Sequence, residues 1–507
     1  MPMEDREKQC MFCSLLCIVV CAVAIPLAVH FGTSDGSPVL WEPIGSSGLW
    51  RNDSGTLEGN VALSASGDRL LVVNLGITVF TDNTTVTTEG RVGVFELQRN
   101  DEGHPQEYVS QDGRSSTDGT ISYIPGPLVN VSGVYPRQVA SMSSDGTTIA
   151  IGYPNSRYDD NSNSNNGNLT SGYVSVYRYD DNSTTTENNS TATTGAWVPL
   201  GNVPTFDAIM TNTEEIYTGG TLGSATALSG DGTRLAIGIT QVQGFASRND
   251  STSFGYASFV QVMELSSSSN KKWYPLGKMI QGVCNGNTGC IPCQNSFGPG
   301  EHDFGMTLSF NAAGTRLAVG TPQAPPCNSN PTDGGFGRVF QYNGIDEEWN
   351  QVGPDLVLPT VNNGDTETPE PRELGGSISL ASSADHRLAI GSNAGAVVLE
   401  YSSDSNSWNI MENRVFIWNN KATFENRYTG VSLTADGNQV AVSGPYATDN
   451  GGKAEVWEWY QSNSWKQVGR TLADNRGFGI SLEVAETDGK ILALKGGFDT
   501  KIYQAPR

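Results

Sequence analysis

Histidine is scarce in this sequence, which has only four in 507 residues. A Ser-His-Asp triad and a multi-histidine metal site both depend on this side chain, so we expect neither, and no other metal site or cofactor is indicated. Positive charge is also in short supply, because 30 Lys and Arg face 53 Asp and Glu and leave a formal net charge of -23. Such a surface repels phosphate groups, which argues against a nucleic-acid partner. Solubility is the simplest interpretation of the acidity, although cations or basic proteins would fit it.

Only one long stretch is free of charge and rich in apolar residues. It runs from Met11 to Val29, a length of helix sufficient to cross a bilayer core of about 30 Å. A cleaved signal peptide is the alternative, with small residues at Ala22 to Ala24, but its apolar region usually has about 7–15 residues. We therefore predict a cytosolic tail at 1–10, a transmembrane signal anchor at 11–31 and a linker at 32–40.

The orientation of that anchor follows from basic residues and sequons. Arg6 and Lys8 precede the segment and the next basic residue is Arg51, so the positive-inside rule predicts a single-pass type II protein. Its ectodomain would lie outside the cell or in the lumen of the secretory pathway. Asn-x-Ser/Thr triplets for N-glycosylation agree with that side. They begin at Asn52, Asn83, Asn130, Asn168, Asn182, Asn188, Asn189 and Asn249.

Cysteine is sparse and falls into two groups. Four lie in or beside the apolar segment, where palmitoylation, helix pairing or plain apolar packing would each explain them. The other four are the only cysteines of the ectodomain, Cys284, Cys290, Cys293 and Cys327. In an oxidising compartment they predict two disulfides, with three connectivities open. Zinc or redox chemistry at the Cys290/Cys293 pair is the less favoured alternative.

What the sequence has in abundance is a repeat of the form Leu-Ser-x-Asp-Gly-x-Arg-Leu-Ala-Ile/Val-Gly. The seven copies are Leu63–Val73, Met142–Gly152, Leu228–Gly238, Phe310–Gly320, Ser382–Gly391, Leu433–Ser443 and Thr487–Leu494. The consecutive apolar residues after Arg predict a strand that is buried on both faces. The Asp-Gly pair suits the tight turn of a hairpin with the preceding strand.

Two further strands follow in each repeat. One alternates apolar and polar residues, as in Gly337–Tyr342, and the other carries a Trp-x-x-aliphatic-Gly signature, as in Trp349–Gly353. Four strands repeated seven times predict an all-β fold, a seven-bladed β-propeller spanning 41–507. Trp41–Gly45 carries the fourth-strand signature before any first strand, whereas the last repeat lacks one. We therefore predict that 41–45 close the last blade.

The succession Phe-Gly, Leu-Ser-x-Asp-Gly-x-Arg-Leu-Ala-Val-Gly, Gly-x-Val-x-Val-Tyr and Trp-x-x-Leu-Gly resembles the FG-GAP-like propeller repeats of microalgae and related protists. These are distantly similar to the head of integrin α subunits. The resemblance implies an extracellular propeller used for recognition. Integrin-type blades carry a calcium loop, but the nearest stretch here, Asp160–Gly167, has one carboxylate and the wrong length.

Candidate ligand-binding residues are those that precede first strands, at the mouth of the central channel. They are His302, Asp303, Arg372, Arg427 and Arg476. The arginines would suit an anionic ligand such as an acidic glycan. For the Glu301–Asp303 stretch a solvated polar loop is the simpler interpretation, and a metal or acid–base role at His302 is the alternative. No catalytic residue is indicated.

The sequence therefore favours a membrane-anchored, non-enzymatic module that binds a protein or glycan ligand. A Golgi-type lumenal glycan-processing hydrolase is the alternative, since a short tail, one anchor and a lumenal domain are common among such enzymes.

Overall fold

A computed structural model gives the fold. It describes residues 40–45, 59–74, 78–81, 84–87, 91–110, 138–154, 172–182, 184–187, 190–193, 195–205, 209, 216–218, 220–245, 253–282, 303–322, 335–357, 374–393, 395–417, 429–448, 451–460, 463–475, 479, 481–487, 489–496 and 499–505. Within these ranges no helix is long and apolar enough to cross a bilayer, and the predicted anchor at 11–31 lies outside them.

The described chain forms seven four-stranded antiparallel sheets, which confirms the predicted seven-bladed propeller. We number the blades 1 to 7 along the chain and their strands from the centre outward.

Blades 1 to 3 have the following strands. Blade 1 comprises Val61–Leu63, Arg69–Asn74, Arg91–Arg99 and Pro105–Ser110. Blade 2 comprises Ala140–Met142, Thr148–Tyr153, Tyr173–Asp180 and Ala196–Pro199. Blade 3 comprises Thr221–Leu228, Arg234–Phe245, Ser253–Leu265 and Trp273–Pro275, with Ile216–Thr218 and Ile280–Gln281 pairing alongside.

Blades 4 to 7 follow the same order. Blade 4 comprises Thr307–Phe310, Arg316–Thr321, Phe336–Asn343 and Glu348–Gln351, and blade 5 comprises Ser377–Leu380, Arg387–Gly391, Gly395–Ser402 and Ser407–Ile417. Blade 6 comprises Gly430–Leu433, Gln439–Thr448, Gly451–Tyr460 and Ser464–Asn475. Blade 7 comprises Ser481–Val484, Ile491–Lys495, Thr500–Gln504 and, from the start of the chain, Glu42–Pro43. Two separate hairpins join Thr78–Thr81 to Thr84–Thr87 and Thr184–Glu187 to Ser190–Thr193.

The outer strand of blade 7 comes from the other end of the described chain. Glu42 pairs with Gln504 and Pro43 with Tyr503, in antiparallel register. Ile44 N–H donates to the carbonyl oxygen of Ile502 at 2.9 Å. The last blade is thereby completed by a strand that precedes the first, and this leaves the Thr500–Gln504 strand with a neighbour on both sides.

The core lies between neighbouring blades, and the second strands carry most of it. Leu235, Ala236 and Ile237 have no exposed surface, as expected for a strand covered on both faces. Close packing also explains the glycine that ends this run. A Cβ at Gly238 would collide with the backbone carbonyl of Gly305 in blade 4, so the two backbones meet there because neither residue has a side chain.

Candidate functional site

The seven first strands contact one another in succession around the molecule and enclose a central channel. Serine side chains join several of these strands by accepting a backbone N–H of the next blade. Ser309 Oγ accepts from Leu380 N at 2.9 Å, and Ser379 Oγ accepts from Leu433 N at 3.0 Å. Because the hydroxyl oxygen serves as the acceptor, its own proton is left to donate elsewhere along the channel wall.

One position of the first strand is equivalent in all seven blades, since each occupant pairs with Leu71 or with alanine on the second strand. The occupants are Ala62, Ser141, Ala227, Ser309, Ser379, Ser432 and Glu483. Six blades therefore place a small side chain at this level of the channel, and blade 7 places a carboxyl group there.

The channel ends at the turns between first and second strands, where backbone hydrogen bonds close a full circle. We call this circle the turn ring. Its seven N–H···O bonds, each 2.8 or 2.9 Å, are Ala65 to Ser144, Ser144 to Gly230, Gly230 to Ala312, Ala312 to Ser382, Ser383 to Ala435, Ala435 to Glu486 and Thr487 to Ala65. Each blade is thus bonded to the next through one residue, or two consecutive residues, of its turn.

The turn ring is again built from small residues except in blade 7. There the side chain of Glu486 reaches across the ring, and its Oε2 accepts from Ser144 Oγ of blade 2 at 3.3 Å and from Ser382 Oγ of blade 5 at 3.1 Å. Glu483 Oε1 accepts from Ser432 Oγ of blade 6 at 3.3 Å. A single blade therefore supplies two carboxyl groups that bond to three other blades.

Both carboxyl groups keep some exposed surface, because they face the channel, yet protein atoms surround them on most sides. Burial raises the pKa of Glu483 to about 8, helped by the negative charge of Glu486 and opposed by the Ser432 hydroxyl. Burial likewise raises the pKa of Glu486, against the hydrogen bonds from Ser382 and Ser144. Near neutral pH the channel therefore favours at least one protonated carboxyl group.

Blade 7 also buries a cation at the opposite end of the same strands. Lys495 is 2% exposed and pairs with Ser481 on the first strand. Burial lowers the pKa of Lys495 to about 8, although the charge of Asp499 opposes this shift. The blade that closes the ring thus holds one buried lysine and two partly buried carboxyl groups.

Most of the residues singled out from the sequence lie outside the described residues. These are His302, Arg372, Arg427, Arg476, Cys284, Cys290, Cys293, Cys327 and the sequon asparagines other than Asn182. Asp303 is described and is 5% exposed, with its carbonyl oxygen accepting from Met306 N at 3.1 Å. Asn182 is exposed at the end of a blade 2 strand.

Glu483 and Glu486 were missed by the sequence reasoning. The signal was present, because blade 7 has Glu where the other repeats have Ser, Ala or Gly at the two aligned positions. Among the described residues, no group of three or more His, Cys, Asp or Glu side chains is placed to hold a metal ion.

Comparison with known proteins adds the following. No family model matches the chain, and no curated protein matches its sequence significantly. Among solved structures, a periplasmic gluconolactonase from Pseudomonas aeruginosa superposes with a TM-score of 0.41 at 14% identity, covering 88% of each chain. A putative 6-phosphogluconolactonase from Bacteroides uniformis has a TM-score of 0.42 at 10% identity, covering 84% of this chain and 89% of its own. A COPII outer-coat vertex chain has a TM-score of 0.42 at 12% identity, covering 89% of this chain and 84% of its own. Likenesses this distant carry no argument about substrate or partner.

Proposed function

We propose that this propeller is a membrane-anchored binding module that presents its central channel, outside the cell or in the secretory lumen, to a glycan or protein ligand. The observation that carries the proposal is the composition of the channel wall. Serine hydroxyls such as those of Ser309 and Ser379 lie between the first strands, and Glu483 adds a carboxyl group. Donors and acceptors at this density suit a ligand that is itself rich in hydroxyl, amide or cationic groups.

The anchor and the compartment rest on sequence features. The apolar run of Met11 to Val29 and the position of Arg6 and Lys8 favour a type II orientation. The exposure of Asn182 agrees with its use as a glycan acceptor. Protease protection of the ectodomain in sealed microsomes, together with a mass shift on deglycosylation, would support this topology. Digestion of the ectodomain without disrupting the membrane would contradict it.

The test of binding is a glycan array in parallel with affinity capture of proteins, using the purified chain. Ser309→Ala and Glu483→Gln together should weaken binding of the captured ligand about tenfold, because the first removes a hydroxyl group and the second replaces one carboxyl oxygen with an NH2 group, so that each alters one hydrogen bond of roughly 0.5–1.5 kcal/mol to the ligand. Ser405→Ala with Glu102→Gln is the matched control, since these side chains are exposed on outer turns. Equal affinity of both variants would place the ligand away from the channel.

A lumenal glycan-processing hydrolase is the second candidate, and the Glu483 and Glu486 pair is the observation that favours it. Glycoside hydrolysis commonly uses one protonated and one ionised carboxyl group. The raised pKa of Glu483 would keep it protonated at neutral pH. Turnover of fluorogenic glycosides that Glu483→Gln abolishes would establish this activity. Ligand binding without turnover would support the binding module.

A further inference from the structure

The turn ring joins all seven blades, and Glu486 bonds to it through both its backbone and its side chain. Its backbone carbonyl accepts from Ala435 N at 2.9 Å, and its side chain accepts from Ser144 and Ser382 on blades that are not its neighbours. Glu486 thus connects blade 7 to blades 2, 5 and 6. A change at its carboxyl group acts on the ring as a whole and on more than one blade interface.

Glu483 lies three residues earlier in the same blade and couples to Glu486. The negative charge of Glu486 helps to raise the pKa of Glu483. The hydrogen bond that Glu483 accepts comes from the neutral hydroxyl group of Ser432. Ionising both carboxyl groups therefore places two negative charges near each other in a confined channel wall. Hydroxyl donors stabilise such charges less than a cation would.

We propose that Glu483 and Glu486 form a proton-operated lock on the turn ring, closed when the carboxyl groups are protonated and loosened when both ionise. In the closed state neutral carboxyl groups can stay close together and bridge blades 2, 5, 6 and 7. In the loosened state their mutual repulsion and their need for water favour separation of blade 7 from the ring. The pKa values raised by burial put this change between weakly acidic and weakly alkaline pH.

Other ionisable groups lie on the turns around the lock, and the effect of their titration on stability must be distinguished from that of the two glutamates. These other groups are Asp68 and Arg69 of blade 1, Asp145 of blade 2, Asp231 and Arg234 of blade 3, Arg316 of blade 4, Asp385, His386 and Arg387 of blade 5, Asp436 of blade 6 and Lys490 of blade 7. Although burial opposes it, hydrogen bonds from nearby Ser, Thr or Asn lower the pKa of Asp145, Asp231 and Asp436, so these stay ionised across the range. His386 points to Glu400 at 3.7 Å and is removed in a control.

The sign of the effect follows from linkage. The folded-state pKa of Glu483 lies above its value in the unfolded chain, so its contribution to stability is complete below pH of about 4 and is lost as pH rises through about 8. Unfolding near pH 7 should accordingly release about one proton per chain from this pair.

The experiment is urea unfolding of the full-length chain at constant ionic strength between pH 5.5 and 8.0, below the range in which the titration of Lys495 acts in the opposite direction. The unfolding midpoint of the unchanged protein should fall across this range. Glu483→Gln with Glu486→Gln should flatten the dependence, because the amides keep hydrogen-bonding capacity and cannot ionise. Glu102→Gln and His386→Gln should retain the full slope. An unchanged slope in the double variant, or a flat profile in the unchanged protein, would overturn the lock.

Two further readouts keep the test decisive if the double variant folds poorly. Glu483→Gln alone should reduce the proton release on unfolding at pH 7, measured with an indicator dye. Hydrogen exchange at the ring amides of Ala435 and Thr487, corrected for the intrinsic effect of pH, should speed up at pH 8.0 in the unchanged chain and less so in Glu486→Gln. Equal proton release, or equal exchange in both proteins, would count against the proposal. Ligand binding through the channel could still hold in that event.

Discussion

In blades 3, 4, 5 and 7 the tryptophan at the fourth strand links the blade to the one before it. Its indole N–H donates to the carbonyl oxygen of the aliphatic residue in the preceding Trp-x-x-aliphatic-Gly signature. The bonds are Trp273 to Leu200 at 2.9 Å, and Trp349 to Leu276, Trp408 to Val352 and Trp41 to Val468, each at 3.0 Å. The signature is therefore a device for joining blades, in which the tryptophan of one repeat bonds to the backbone of another.

Trp465 departs from this pattern and supplies an internal control. Its indole N–H is buried and has no hydrogen-bond partner among the described residues, and the preceding blade has Met411 and Glu412 in place of the aliphatic-Gly pair. Trp349→Phe should cost about 0.5–1.5 kcal/mol more in unfolding free energy than Trp465→Phe, because only Trp349 loses a hydrogen bond. Urea unfolding of both variants checks this. A larger loss for Trp465→Phe would show that ring packing, and not the indole bond, joins the blades.

The glycine of the signature is needed for two reasons, which a pair of variants can separate. Gly353 has a φ of +74°, and a Cβ there would lie 2.9 Å from Trp408 Cδ1. Gly103 has a φ of +80° with open space around it. Gly103→Ala should therefore cost only the strain of the left-handed conformation, about 1 kcal/mol, and Gly353→Ala should cost about 1–3 kcal/mol more. Equal losses in chemical unfolding would mean that the tryptophan moves aside freely.

The tryptophans and glycines of the fourth strands could be predicted from the sequence only where the Trp-x-x-aliphatic-Gly signature is intact. Glu412 takes a φ of +57° where Gly201, Gly277 and Gly353 also have positive φ, so the backbone turn is kept while its usual residue is replaced. Its Oε2 accepts from Trp465 N at 2.7 Å, a contact that no sequence pattern suggests. Such substitutions hide a strand from a motif search, because the conformation depends on tertiary packing and not on propensity alone.

The arginine that begins the second strand of the repeat makes contacts to the next blade. Arg234 of blade 3 donates through Nη1 to the carbonyl oxygen of Gly314 at 3.1 Å, and its guanidinium lies 5.7 Å from the ring centre of Tyr342. Both partners belong to blade 4. Arg69 and Arg316 make the equivalent contacts to blades 2 and 5. The second strand is therefore held to the next blade by its first residue as well as by its apolar run.

Removing this contact should weaken the interface between two blades. Arg234→Ala should lower the unfolding free energy by about 1–3 kcal/mol, since Arg234 is mostly buried and loses packing, a hydrogen bond and a cation–π contact to blade 4, together with its ion pair to Glu264 within blade 3. Arg99→Ala is the comparison, because Arg99 pairs with Asp68 within blade 1 at an exposed position and should cost less than about 1 kcal/mol. The difference is measured by urea unfolding, and equal losses would contradict a role between blades.

The order and number of the four main strands of each blade could be predicted from the sequence, and the reasons are physical. The consecutive apolar residues of Leu235 to Ile237 report burial on both faces, which few folds require so regularly. Fourth strands were harder to predict. Pro105–Ser110 has no tryptophan, and Tyr108 there donates its hydroxyl to the carbonyl oxygen of Gly67 instead. Ile280–Gln281 resumes pairing after the turn at Gly277, an extension that depends on the partner strand and leaves no local pattern.

The buried Lys495 of blade 7 should determine how the stability of the protein changes with pH above about pH 8. Because burial lowers the pKa of Lys495 to about 8 in the folded state from 10.5, its contribution to stability is present above pH of about 10 and is lost as pH falls through 8. The unchanged protein should therefore gain stability between pH 8 and 9.5, by about 1–3 kcal/mol. Lys495→Met should remove this gain, whereas the exposed Lys272→Met should keep it. Urea unfolding midpoints of the three proteins between pH 8 and 9.5 test this prediction, and an equal gain in Lys495→Met would contradict it.

The ring depends on a short strand at one end of the described chain. Glu42–Pro43 contributes two residue pairs, but the flanking Trp41 and Ile44 are 5% and 7% exposed and pack into the last interfaces. Trp41 also bonds to Val468 of blade 6, so the segment bridges two blades. Loss of a buried tryptophan alone typically costs about 3–5 kcal/mol, a large part of the stability of an ordinary domain.

A chain that starts at residue 46 should therefore be less stable than one that starts at residue 40 by on the order of 5 kcal/mol. The loss should affect the whole molecule, because each blade is stabilised mainly by its neighbours and an opened ring exposes both faces of the gap together with the edge of Thr500–Gln504. Urea unfolding of the two chains measures the loss, and hydrogen exchange shows where it falls. If the midpoints agree and exchange rises only in Thr500–Gln504, the segment covers an edge without holding the ring closed.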